Sequence, residues 1–85
     1  MIKLKNYLLI TGCAGFIGFH LCLFFLKKNK LVLGIDNINN YYSTKIKKNR
    51  LKILKSYNNF KFIKVDISKK KQFYESLANY KKKIN

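Results

Sequence analysis

The chain has 85 residues, enough for one small domain whose buried core is limited. Its 48% hydrophobic content excludes a disordered polar tail, and its net charge of +16 raises the question of an anionic partner, either nucleic acid or a membrane surface. Against specific nucleic-acid recognition, the 18 lysines are scattered through every polar segment and Arg50 is the only arginine. Lys, Asn and Ile make up 38 of the 85 residues, a bias that an A/T-rich coding sequence produces by drift. Cys13 and Cys22 have neither metal-ligand spacing nor a companion His cluster. They read as reduced thiols of a cytoplasmic protein, with no metal site expected.

In chain order, Tyr7 to Thr11 (YLLIT) is an apolar run of strand length that stops at Gly12. Phe16 to Leu26 is longer and apolar nearly all round, and it closes on Lys27, Lys28 and Lys30, which suit a helix C-terminus. Leu31 to Ile35 is a second buried-type strand. Ser43 to Tyr57 places Ile46, Leu51, Ile53, Leu54 and Tyr57 at helical spacing with lysines on the other face. Phe60 to Val65 alternates apolar residues with Lys, as a half-exposed strand near a sheet border does. Lys69 to Tyr80 sets Phe73, Leu77 and Tyr80 on one helical face, with Ser68 available as its N-cap. Strand and helix alternate three times, which predicts an α/β fold with parallel strands and right-handed crossovers. The expected architecture is a Rossmann-type sheet reduced to a βαβαβα half with strand order 3-2-1.

The opening stretch has competing readings. Tyr7 to Leu26 carries no acidic or basic residue, as a membrane span would, but Gly12, Gly15 and Gly18 interrupt it alongside Thr11 and His20. Ile10-Thr11-Gly12-Cys13 has the form of a lipoprotein cleavage site. Its apolar core would be only Tyr7 to Ile10, however, where a signal needs about 7–15 residues. Neither membrane reading explains the strand–helix rhythm downstream.

A phosphate cradle explains more. Gly12 permits a sharp turn out of the strand, Gly15 removes a side chain where a diphosphate would approach the main chain, and Gly18 lets the helix pack closely. The free amides at the start of the helix near Phe16 would then hold the anion. The chain has three acidic residues, and two of them, Asp36 and Asp66, fall at the tips of consecutive strands, where such sheets bind ligands. Asp36 lies 18 residues past Gly18, close to the ~20-residue offset at which a carboxylate meets the adenosine ribose hydroxyls. A carboxylate there repels a 2′-phosphate and so favours NAD over NADP. Asp66 would lie near the adenine edge. Both positions also suit a plain turn aspartate. Gly34 serves either close approach of a nucleotide or packing, and His20 reads as a packing histidine.

Thr11-Gly12-Cys13-Ala14-Gly15-Phe16-Ile17-Gly18-Phe19-His20 resembles the TGxxGFIGxH signature of the extended short-chain dehydrogenase/reductase family, the NAD-dependent nucleotide-sugar epimerases and dehydratases. Asp36-Asn37-Ile38-Asn39-Asn40-Tyr41-Tyr42, followed by Arg50-Leu51, is similar to the DNxNxYY…RL stretch of the UDP-glucuronate 4-epimerase subgroup. Val65-Asp66-Ile67 resembles that family's adenine-contacting segment. The resemblance implies that residues 1–85 form the N-terminal part of an NAD(P)-binding Rossmann domain with no second domain present. In it Gly12, Gly15, Phe16, Ile17 and Gly18 would hold the NAD diphosphate, Asp36 and Asn37 the adenosine ribose, Asn40 a nearby loop contact, and Asp66 with Ile67 the adenine. It also implies a transient hydride transfer from the sugar C4 to NAD, an isomerase's use of a redox cofactor.

Family members are several times longer, and their Tyr-x-x-x-Lys pair and sugar-nucleotide domain come later in the chain. Tyr41 to Lys45 and Tyr57 to Lys61 match that spacing, but one or two such matches arise by chance among six tyrosines and 18 lysines. The expectation is a fragment without catalytic residues, inactive alone. It would meet a UDP-sugar only if a further domain or chain supplied the site. YLLIT, lacking a fourth strand, is expected to be an exposed border strand through which the chain associates with itself. No specific nucleic acid and no membrane are expected as partners.

Overall fold

The computed structural model of the chain describes residues 2–4, 7–38 and 44–82. Its elements are β1 (Ile2–Leu4), β2 (Tyr7–Thr11), α1 (Phe16–Leu26), β3 (Leu31–Asp36), α2 (Thr44–Lys55), β4 (Phe60–Lys64) and α3 (Lys70–Lys82). The strands form one sheet in the order β1-β2-β3-β4. β2, β3 and β4 are parallel, with Thr11 beside Ile35 and Asp36 beside Lys64, so their C-terminal tips lie along one border of the sheet. This is an α/β, Rossmann-like half.

The strand residues alternate between the two faces, as a period of two requires. Ile10, Val32 and Phe60 pack with Phe19, Cys22 and Leu26 of α1 and with Leu51 and Leu54 of α2. On the opposite face, Leu9, Leu33 and Ile35 pack with Leu77 of α3, with Phe73 against them. Gly34 faces the α1 side, where a Cβ would stand 2.7 Å from the Phe60 ring and 2.8 Å from Cys13 Sγ. It is therefore a packing glycine, one of the two roles the sequence left open.

α1 ends in a Schellman motif. Lys30 N–H donates to Phe25 O at 3.1 Å and Asn29 N–H to Leu26 O at 3.0 Å, with Asn29 in the left-handed position usually taken by glycine (φ 63°). Asn59 Nδ2 donates to Leu26 O and Lys30 O, pinning the start of β4 to this helix end.

Two expectations need correction. YLLIT is not a border strand: β1 pairs antiparallel with it, Ile2 opposite Leu9 and Leu4 opposite Tyr7, and so extends the expected three-stranded 3-2-1 half to four strands. Self-association through β2 thus loses its open edge. Ser68 does not cap α3; its hydroxyl instead donates to the Asp66 carboxylate at 2.7 Å. Tyr7 to Leu26 is a strand, a turn and a helix, as the phosphate-cradle reading expects, and among the described residues no helix is long and apolar enough to cross a membrane.

Candidate functional site

The turn between β2 and α1 is fixed from several directions. Gly12 has φ +66°, a left-handed angle that an L side chain adopts only with strain. Gly15 N–H donates back to Gly12 O at 3.0 Å, and Gly15 O accepts the first helical bond, from Phe19 N–H at 2.9 Å. Cys13 N–H donates to Ile35 O at 3.1 Å, tying the turn to β3. A Cβ on Gly18 would collide with the Gly12 carbonyl, so this glycine brings α1 against the turn itself rather than against the strand. At Gly15 a Cβ would stand 3.3 Å from Gly12 O, a tight contact, with no other atom within 4 Å.

The carboxylate of Asp36 crosses to the same turn. Its Oδ2 accepts the Ala14 N–H at 3.0 Å and its Oδ1 the Ile38 N–H at 2.8 Å, while Lys47 Nζ lies 3.5 Å from Oδ1. Asp36 is only 5% exposed and is the one buried charged residue among those described. A buried carboxylate is tolerated when it is paired and hydrogen-bonded, as here. Ile38 takes a left-handed φ of 51°, an unusual angle for a β-branched residue, beside the bond it gives to Asp36.

Two cavities open at the C-terminal border of the sheet. The larger, of about 600 Å³, has Gly12, Gly15, Phe16, Ile17 and Gly18 on one side and Ile46, Lys47 and Arg50 of α2 on the other. Among the described residues no side chain caps α1, so its first amides have no partner within the helix and stand beside this space. Arg50 Nη1 donates to Ala14 O at 3.2 Å, and its guanidinium carbon lies 5.8 Å from the centre of the Phe16 ring. A helix N-terminus, Arg50 and the Asp36-paired Lys47 around a glycine turn are the kinds of group that anion sites are built from.

The smaller cavity, of about 300 Å³, is bordered by Thr11, Ile35, Asp36, Asn37, Val65, Asp66 and Ile67, and it shares Gly12 and Lys47 with the larger one. Asp66 does double duty there. It borders the cavity, and its Oδ1 accepts both the Ser68 N–H at 2.9 Å and the Ser68 hydroxyl. Those two bonds, the hydroxyl first, hold its carboxyl below the usual range. Beneath the turn, burial pushes the Cys13 thiol far above the ordinary cysteine range, with Cys22 and Asp36 adding to the effect, and burial pushes Cys22 up to about 12. Both are packing thiols.

Gly12, Gly15, Phe16, Ile17 and Gly18 therefore border the larger space, and Asp36, Asn37, Asp66 and Ile67 the smaller; Asn40 lies outside the described residues. Lys47 and Arg50 carried no role in the sequence reading. Arg50 did fall in the stretch that carries the family resemblance, and the i, i+3 spacing of the two places both on one face of α2.

The family model for GDP-mannose 4,6-dehydratase matches residues 9–84. The chain belongs to that family. Its resemblance to the NAD-dependent epimerases and dehydratases thus stands. The chain is 50% identical over 63 residues to a UDP-glucuronate 4-epimerase of Thermodesulfobacterium geofontis, covering 74% of this chain and 20% of that protein. It is 47% identical over 80 residues to protein MJ1055 of Methanocaldococcus jannaschii, covering 92% of this chain and 24% of the relative. Among solved structures, it superposes on the UDP-glucuronic acid 4-epimerase of Bacillus cereus in complex with UDP-glucuronic acid and NAD. That match has a TM-score of 0.72 and 34% identity, and it covers 86% of this chain and 23% of the other. The chain spans about a fifth to a quarter of the length of these relatives.

Proposed function

We propose that this chain binds NAD at the strand tips, as the cofactor-binding segment of a nucleotide-sugar epimerase or dehydratase of the UDP-glucuronate 4-epimerase type. The observation that carries the reading is the joining of two sites through Gly12 and Lys47, one suited to a diphosphate and the other to a nucleoside. The residues present fit the cofactor. Gly15 leaves open a place beside the turn that a larger side chain would fill, and the amides of Phe16 and Ile17 with Arg50 suit the diphosphate. Asp36 and Asn37 suit the ribose hydroxyls, and Asp66 and Ile67 border the place for adenine. Asn40 joins them as the expected loop contact.

When bound, NAD supplies a reversible hydride acceptor, and the chain's part is to grip and orient it. The glycine turn and α1 hold the charge of the diphosphate through fixed dipoles, without reorganisation. Asp36 orients the adenosine end because two backbone amides and one ammonium already lock its own carboxylate. The Tyr57 to Lys61 match contributes no catalytic pair, because Tyr57 packs half-buried against the core beside α2. In this reading residues 1–85 grip the cofactor, and a UDP-sugar is met through a site that further protein supplies.

Calorimetric titration of NAD and of ADP-ribose into the wild type and Gly15→Val tests this. Wild-type binding that Gly15→Val abolishes while still folding supports the reading. Equal affinity in the two, or no binding by a folded wild type, refutes it.

A further inference from the structure

The Asp36 carboxylate sits in a receptor built for an anion. Two backbone amides, those of Ala14 and Ile38, donate to it at 3.0 and 2.8 Å, and the Lys47 ammonium stands at 3.5 Å. Three donors arranged around the two oxygens of one buried carboxylate, one of them cationic, form the kind of donor set that holds a phosphate monoester. The carboxylate lies on the wall of the smaller cavity, where the proposed function puts the adenosine ribose.

We infer that Lys47 and the Ala14 and Ile38 amides form a latent 2′-phosphate site that Asp36 plugs with its own carboxylate, so that selection of NAD over NADP rests on this pair and not on the acid alone. This inference rests on the dinucleotide reading. With the carboxylate in place the receptor is full and its cation neutralised, and a 2′-phosphate meets both an occupied volume and a like charge. With the carboxylate gone, an ammonium and two orphaned amides remain, each costly to leave unpaired, and an incoming phosphate satisfies all three. Lys47 is well placed for this, because it borders both cavities and its side chain is only 12% exposed.

The test compares 2′-AMP, 5′-AMP, NAD and NADP by calorimetry on the wild type, Asp36→Ser and the double variant Asp36→Ser/Lys47→Met, with folding followed by circular dichroism. The expected result is a gain of about tenfold or more in 2′-AMP affinity relative to 5′-AMP in Asp36→Ser, the scale of hydrogen bonds to a charged group. The double variant is expected to lose that gain. A folded Asp36→Ser with no gain, or a gain that survives removal of the Lys47 ammonium, overturns the inference.

Should Asp36→Ser unfold, Lys47→Met decides. It leaves the carboxylate without its counter-charge, so the NAD-to-NADP preference must sharpen several-fold, and an unchanged preference overturns the inference. A folded wild type that binds neither NAD nor 5′-AMP refutes the dinucleotide reading itself. NAD binding with selectivity indifferent to residues 36 and 47 refutes only the inference drawn here.

Discussion

Asp36 Oδ2 accepts the backbone N–H of Ala14 at 3.0 Å, a bond that spans 22 residues of chain and ties the tip of β3 to the glycine turn. The bond makes one carboxylate both a structural clasp and part of the wall of the smaller cavity. Asp36→Ala leaves two amides and the Lys47 ammonium without their acceptor, a loss of about 2–4 kcal/mol on the scale of orphaned buried donors and broken buried pairs. Urea denaturation checks it. Asp36→Asn, which keeps an oxygen for one amide, is expected to lose less.

The glycines of the turn separate stability from binding. A Cβ on Gly18 meets the Gly12 carbonyl, with the carbonyl carbon at 2.8 Å, and backbone cannot move aside cheaply. Gly18→Ala is expected to cost about 1–3 kcal/mol, as overpacking does. Gly15→Ala has only Gly12 O at 3.3 Å to displace and projects toward the larger cavity. Thermal melts should rank Gly18→Ala as the less stable of the two, and ADP-ribose titration should show the affinity loss in Gly15→Ala at nearly unchanged stability.

Arg50 gives one N–H to Ala14 O and stacks over Phe16, which leaves further guanidinium donors beside the α1 amides. Arg50→Met is expected to weaken ADP binding by about tenfold, the scale of a charge-assisted hydrogen bond, while adenosine binding changes little. Comparing the two ligands by calorimetry checks the role. Equal weakening of both would mean that Arg50 only shapes the turn.

Much of this site was legible from the order of residues, and the reasons are local. Gly12 needs a left-handed angle, and Gly18 faces the carbonyl of Gly12 in the turn before the helix; both demands come from backbone geometry that glycine alone meets. Asp36 stood out because carboxylates are so rare in this chain. The rest depends on the third dimension. β1 is three residues long, too short for alternation to mark it, and it exists through its pairing with β2. Lys47 and Arg50 sit in a helix with lysines on several faces, and only the packing of Leu51 and Leu54 into the core decides which face meets the turn. The sequence offered Ser68 as a cap, but the competing Asp66 carboxylate two residues away accepts its hydroxyl.

The buried thiols set an alkaline limit. Burial raises Cys22 from the ordinary value of 9.0 to about 12. The folded state therefore holds its proton where the unfolded chain releases it. The stability this contributes is fully present below pH 9.0 and is lost as pH rises toward about 12. Denaturation of the wild type and Cys22→Ala at neutral pH and above pH 9.0 checks the sign. The wild type's advantage over the variant should shrink at the alkaline end.

The most direct test of the central claim is a titration of NAD into the isotope-labelled chain, followed through its amide resonances at moderate salt. The account predicts the largest shifts at Gly12, Gly15, Phe16 and Ile17, with a second group at Asp36, Asn37 and Ile67, saturating together and persisting as salt is raised. Shifts spread over the lysine-bearing faces of α2 and α3 that fade with added salt, with the glycine turn unmoved, would contradict it.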